Sequence, residues 1–215
     1  MARMTSKGTC ELCKSTFNKS AMAKHLQSCL QKSQINANGK STQVLSFPLR
    51  FFHVLVEGQD QLEYWMHLKI SSQARFGDLD SFFRDVWVEC CGHLSAFYIE
   101  REKIGMNRKF VHVLQPGMKL LYEYDFGSTT ELTLKVISEF KSNTKMTEVE
   151  ILARNDPPQI KCSYCNNLAT RICTECSYEG TGWLCDDCVE DHECGEDMLL
   201  PVINSPRTGV CGYVG

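Results

Sequence analysis

The residues best suited to chemistry are cysteines set two apart. Cys162 and Cys165, Cys173 and Cys176, and Cys185 and Cys188 form three C-x2-C knuckles within 27 residues, followed by His192 and Cys194. Each knuckle can offer two thiolates to one cation, and a zinc ion takes four such donors in a tetrahedron. Eight donors make two sites. Because only seven residues separate the first two knuckles, each is expected to bind with a later pair. Cys162, Cys165, Cys185 and Cys188 would hold one ion, and Cys173, Cys176, His192 and Cys194 the other, in a cross-braced arrangement. The H-x-C ending is tight, so Cys211 is an alternative to Cys194. Near the start, Cys10, Cys13, His25 and Cys29 read C-x2-C-x11-H-x3-C, with His25 and Cys29 one helical turn apart and Phe17 four residues after Cys13. Three zinc ions are expected in all. Each set supplies four protein donors and leaves no position for water, which points to structure rather than catalysis.

Other groupings invite catalytic readings. Asp125-Phe126-Gly127 spells the magnesium-binding triplet of protein kinases, but the glycine-rich loop and the H-R-D loop are missing from the sequence. Glu123 and Asp125 could share a strand face as an acid pair, although a solvated face explains them as well. Cys90, Cys91 and His93 give C-C-x-H, a possible nucleophile and base; Cys90 falls on the apolar stripe of a helix and reads as a buried thiol. His53, His67 and His112 stand among apolar residues in strand-like runs and read as structural. No catalytic residue is assigned. The chain reads as non-enzymatic, with an enzyme of unknown reaction as the alternative, its site in the middle segment around Cys91, His93, Glu123 and Asp125.

Charge and composition divide the 215 residues in three. Residues 1–40 carry +6, residues 41–155 carry −2 and residues 156–215 carry −7, for a total of −3. Thirteen cysteines, an odd count with no signal-peptide pattern at the start, fit metal binding in a reducing, cytoplasmic setting better than disulfides. No apolar run approaches the roughly 20 residues that span a bilayer. Polar QKSQINANGKSTQ and the NDPP run mark two linkers. The expected organisation is a C2HC finger over 1–32, a linker over 33–43, a middle domain over 44–154, a two-zinc module over 155–200 and a C-terminal strap over 201–215.

The middle segment alone is large enough to close a hydrophobic core without metal. VLSFPLRFFHVLVE from Val44 and LEYWMHLKI from Leu62 predict a hairpin. In DLDSFFRDVWVEC, Leu79, Phe82, Phe83, Val86 and Trp87 repeat with helical period behind the N-cap candidate Asp78. Strand-like runs follow: LSAFYIE, KFVHVL, KLLYEYDF, TELTLKVISEF and MTEVEILA. The fold class is α+β, a mostly antiparallel sheet with helix on one face, flanked by two small zinc-binding modules.

Leu79, Phe82 and Trp87 on the helix, His93, Leu94 and Phe97 in the next run, and Tyr124, Asp125, Phe126 and Gly127 before a strand carry a resemblance to the plasmid pRiA open-reading-frame-three-like family, over roughly residues 45–150. Ser128, Thr129 and Thr130 depart from the acidic residue and tryptophan that many members place next. The resemblance implies an α+β fold and a link to mobile elements, without an agreed reaction. Residues 160–195 resemble ZZ and B-box fingers. Together these readings give a zinc-binding adaptor whose acidic tail takes a protein partner. Its basic head would contact DNA or RNA through Lys14, Lys19, Lys24 and Lys32, with Asn18, Ala21 and Lys24 at the positions that face bases in related fingers.

Overall fold

The computed structural model describes residues 6–37, 48–143 and 147–215, leaving aside the side chains of 33–37. The first four residues of the expected hairpin and most of the first linker lie outside the described residues. Two compact units emerge: Met1–Phe82 with Ser95–Glu123 and Glu131–Asp156, and Phe83–Leu94 with Tyr124–Thr130 and Pro157–Gly215. These lines differ from the sequence boundaries at both ends. The head belongs to the unit of the central sheet, and the tail shares its unit with two stretches of the middle segment.

The first unit is built on a nine-stranded sheet. Its strands are β1 (Lys7–Cys10), β2 (Thr16–Asn18), β3 (Leu49–Gly58), β4 (Trp65–Ser71), β5 (Ser95–Ile99), β6 (Glu102–Ile104), β7 (Lys119–Tyr124), β8 (Thr130–Ser142) and β9 (Val149–Asn155), in the order β2-β1-β9-β4-β3-β8-β7-β5-β6. The pairings β1–β2, β1–β9, β9–β4, β4–β3, β3–β8 and β5–β6 are antiparallel. The α+β, mostly antiparallel class therefore holds. The hairpin forms as expected, with Phe51 to Glu57 opposite Ser71 to Trp65. KFVHVL does not become a strand: Phe110–His112 is a short 3-10 turn, which places His112 off the sheet.

Every residue of β4 is buried, so both faces of the sheet centre are covered. Alternation puts Trp65 and His67 on one face and Met66, Leu68 and Ile70 on the other. The first face receives helix α1 (Lys19–Ala37), whose Met22 and Leu26 pack with Trp65, Leu152, Ala153 and Cys10. Helix α2 (Phe76–Phe83) begins against β5, Phe76 meeting Phe97 edge-on at 5.1 Å. Asp78 is not its N-cap. The helix starts two residues earlier, and the Asp78 carboxylate accepts the Arg75 backbone N–H at 2.6 Å, closing the first turn from within. The chain then passes into one π turn, Arg84–Val88, closed by the Glu89 N–H bonding to Arg84 O. Cys90 consequently follows the helix instead of riding its apolar stripe, and is only half-buried.

In the second unit, β10 (Arg171–Cys173) is flanked by β11 (Trp183–Leu184) and β12 (Leu199–Pro201), with helices α3 (Thr174–Ser177) and α4 (Asp186–Glu190) between them. Pro201, the expected start of the strap, closes β12, and the strap is built in: Ser205, Pro206, Arg207, Thr208 and Tyr213 are buried. Among the described residues, no helix is long and apolar enough to cross a membrane.

Candidate metal centres

All 13 cysteines lie in four clusters whose ligand atoms fall within 4.8 Å of one another. Three contain the anticipated ligands: Cys10, Cys13, His25 and Cys29; Cys162, Cys165, Cys185 and Cys188; and Cys173, Cys176, His192 and Cys194. Zn–S bonds near 2.3 Å and Zn–N bonds near 2.0 Å put tetrahedral sulfur pairs about 3.8 Å apart and sulfur–nitrogen pairs about 3.5 Å apart. The separations match: Cys10 to Cys29 is 4.0 Å and Cys13 to His25 Nε2 is 3.4 Å. Cys165 lies 3.5 Å from Cys185 and 3.8 Å from Cys188. Cys176 lies 3.7 Å from both His192 Nε2 and Cys194. A disulfide needs about 2.05 Å, so these are thiol clusters able to hold metal ions.

The head site is assembled by a knuckle and a helix. The Lys14 N–H bonds to Cys10 O at 2.8 Å with Lys14 at φ 59°, turning the chain so that Cys10 and Cys13 face one point. His25 and Cys29 come from one face of α1, and Phe17 stacks on His25 at 3.9 Å. The same segment is also sheet edge. Gly8 pairs with Asn155, and a Cβ at Gly8 would lie 2.3 Å from Arg154 O and 2.5 Å from the Trp65 ring, so only glycine fits. The Trp65 indole N–H donates to Ser6 Oγ at 2.7 Å, and the Glu11 N–H to Leu152 O at 2.8 Å. The finger is thus an annex of the central sheet.

The two tail sites alternate as the spacing suggests. Cys173 ends β10 and Cys176 sits on α3; Cys185 follows β11 and Cys188 sits on α4. The first knuckle is held by the Cys162 N–H bonding to Asn167 O at 2.9 Å. His192 and Cys194 complete the second cluster, and Cys211 lies in another.

Several thiols sharing one point cannot all ionise unaided. In the head, burial and the neighbouring Cys10 push Cys29 up to about 12, while the backbone N–H of Ser15 lowers Cys13. Burial, then the charge of Lys32, lowers His25 and keeps it in the neutral form a metal requires. In the tail, hydrogen bonds with Cys185 and Cys162 push Cys188 up to about 12. Burial opposes charge on Cys162, yet the backbone N–H groups of Tyr164 and Cys185 draw it down to about 6. Likewise the bond to Cys194, with burial, pushes Cys176 up to about 12. Cys173 falls to about 7 against its burial, through the Cys176 N–H and His192. A divalent cation held by such a cluster would supply the charge that lets every sulfur ionise.

The fourth cluster, Cys90, Cys91, His93 and Cys211, is not legible as a set in the sequence. Its one sequence signal is arithmetic: once ten cysteines are assigned to the three expected sites, these three remain, with a histidine two residues from Cys91. The acid pair does not form as expected. β7 ends at Tyr124, and Asp125 turns out of the strand at φ 65°, so Glu123 and Asp125 do not share a strand face. His53 and His67 are buried and hydrogen-bonded to each other at 2.8 Å, each opposite a bulge in a neighbouring strand, where Ile137 of β8 and Leu152 of β9 are the extra residues. Of the lysines proposed for phosphate contact, Lys14 pairs with Glu11 and Lys19 with Glu57. Asn18, Ala21 and Lys24 are exposed.

No family model matches the chain, and no curated protein matches it. Among solved structures, a protein of unknown function from Methanosarcina mazei Go1 resembles it with a TM-score of 0.45 and 16% identity, over 51% of this chain and 71% of that one.

Proposed function

We propose that this chain is a zinc-built, non-enzymatic adaptor whose second unit engages a protein partner. The observation that carries the reading is that each anticipated cluster draws all four donors from the protein, the arrangement of metals that hold a fold and leave no position for substrate. The partner face is suggested by Tyr178, which is 90% exposed next to the exposed acids Glu175 and Glu179, and by Tyr164, which is 60% exposed. Exposed aromatic rings suit a protein surface, and a net tail charge of −7 repels a phosphate backbone. The nucleic-acid role of the head keeps Lys24 and Lys32, since ion pairs neutralise Lys14 and Lys19. The resemblance of residues 45–150 to the mobile-element-linked family supports placing the adaptor near DNA.

The test is affinity capture by the full chain and by Tyr164→Ser/Tyr178→Ser, with cross-linking and mass spectrometry, zinc content serving as the folding control. A partner retained by the first and lost by the second, at equal zinc, is expected. An identical set of retained proteins would refute this docking face. Removing residues 156–215 is a poor control, because it strips Asp125 of its buried partner Arg207.

A further inference from the structure

We propose that Cys90, Cys91, His93 and Cys211 bind a fourth metal ion of the zinc class, which fastens the C-terminal segment to the chain that follows the π turn within the second unit. Cys91 Sγ lies 3.7 Å from Cys90 Sγ and 3.7 Å from Cys211 Sγ, and Cys211 Sγ lies 3.6 Å from His93 Nε2. These are the separations of the other three clusters and of a tetrahedral site made of three sulfurs and one nitrogen. One edge is shorter, Cys91 Sγ to His93 Nε2 at 2.9 Å. The local backbone explains how adjacent residues converge. Gly92 adopts φ +80° and donates its N–H to Glu89 Oε1, reversing the chain so that Cys91 and His93 aim at one point. Cys211, at φ 55°, brings the third sulfur from 118 positions beyond His93.

The groups behind the ligands are those of a metal site. His93 turns Nε2 toward the sulfurs and Nδ1 toward Asp125 Oδ1, 3.4 Å away, the carboxylate–histidine arrangement that fixes a ligating ring. Asp125 is in turn held by Arg207, 2.7 Å from its other oxygen, and Arg207 also donates to Cys90 Sγ at 3.3 Å. A fully buried guanidinium facing a sulfur stabilises a thiolate. Cys91, His93 and Asp125 also line up as nucleophile, base and orienting carboxylate. That reading leaves Cys90 and Cys211 without a purpose, although both sit 3.7 Å from the supposed nucleophile. A tetrahedron uses all four groups. Loading a divalent ion releases the thiol protons to solvent and changes no oxidation state.

This inference is independent of the partner-binding reading. Its test is the metal content, by elemental analysis, of the full-length chain purified without added metal, compared with Cys211→Ser and His93→Cys. Four ions in the wild type and three in Cys211→Ser are expected. His93→Cys should keep four, and after exchange into cobalt(II) its sulfur-to-metal charge-transfer absorption should rise. Three ions in both wild type and Cys211→Ser, or four in both, would overturn the fourth site and leave the anticipated three standing. One ion or fewer in the wild type would sink both. Should Cys211→Ser lose further ions by misfolding, His93→Cys decides: four ions with stronger absorption support the site, and an unchanged cobalt spectrum refutes it.

Discussion

Replacing Arg207 by Met removes the hub of the second unit while keeping its bulk. The guanidinium is fully buried and donates to Asp125 Oδ2 at 2.7 Å, Thr130 Oγ1 at 3.0 Å and Ser128 O at 3.2 Å, and lies 4.8 Å over the Tyr124 ring. Its hydrogen bond, foremost, holds the Asp125 carboxyl at about 2, against burial. The side chain of Asp125 is 8% exposed, so the variant takes the cationic partner from a buried carboxylate that the Gly127 N–H at 3.0 Å, the Ser128 N–H and His93 Nδ1 at 3.4 Å still face. Removing one member of such a buried pair costs about 3–5 kcal/mol. If the segment around Arg207 opens locally, its amides should exchange roughly two to three and a half orders of magnitude faster. Hydrogen exchange read by mass spectrometry over residues 203–213 measures this directly, at a fixed zinc content. Asp125→Asn/Arg207→Met removes the stranded charge and should recover part of the loss, a coupling of about 2 kcal/mol or more. Exchange in Arg207→Met within threefold of the wild type would refute the assignment of Arg207 as the hub.

Three further outcomes follow from the geometry. Cys185→Ser should release both tail ions, because the two sites share the β10–β11–β12 sheet and interleave along the chain; retention of one ion, with Cys162, Cys165, Cys173 and Cys176 all still protected from alkylation, would refute cross-bracing. Gly8→Val should detach β1 from β9 and expose Trp65, read as a red-shifted tryptophan emission, while head zinc is retained; an unchanged spectrum would contradict docking of the finger on the sheet. Burial lowers His53 to about 4 and His67 to about 3, from 6.5. Their folded values lie below the unfolded one, so their contribution is full above pH 6.5 and declines as pH falls toward 4. Urea midpoints of the wild type should fall across that window more steeply than those of His67→Gln, and parallel curves would refute it.

The candidate metal ligands of three clusters are legible in the sequence because their spacing is local: a knuckle needs two residues between sulfurs, and His25 and Cys29 need only one helical turn. The hairpin and α2 are legible for the same reason, through the alternation in β3 and β4 and the stripe that buries Leu79, Phe83 and Trp87. What escapes is long-range. Cys211 reaches its partners across more than a hundred residues, and no periodicity links it to Cys91. β1 reads only as the approach to a knuckle, and its pairing with β9 rests on the absence of a side chain at Gly8. The π turn displaces Cys90 from the stripe that a regular helix would continue. Asp78 reads as the residue before the helix yet closes its first turn from within, because a carboxylate caps from either position.

The central claim is that the metals of this chain are enclosed by protein donors and hold its fold. Zinc-edge X-ray absorption of the full-length protein tests it most directly. With 13 cysteines and three histidines as the ligand set, the account predicts four-coordinate zinc whose first shell is sulfur near 2.3 Å with a minority of imidazole nitrogen. A first shell averaging two or more oxygen or nitrogen donors per ion would mean open, water-bearing sites and would contradict it.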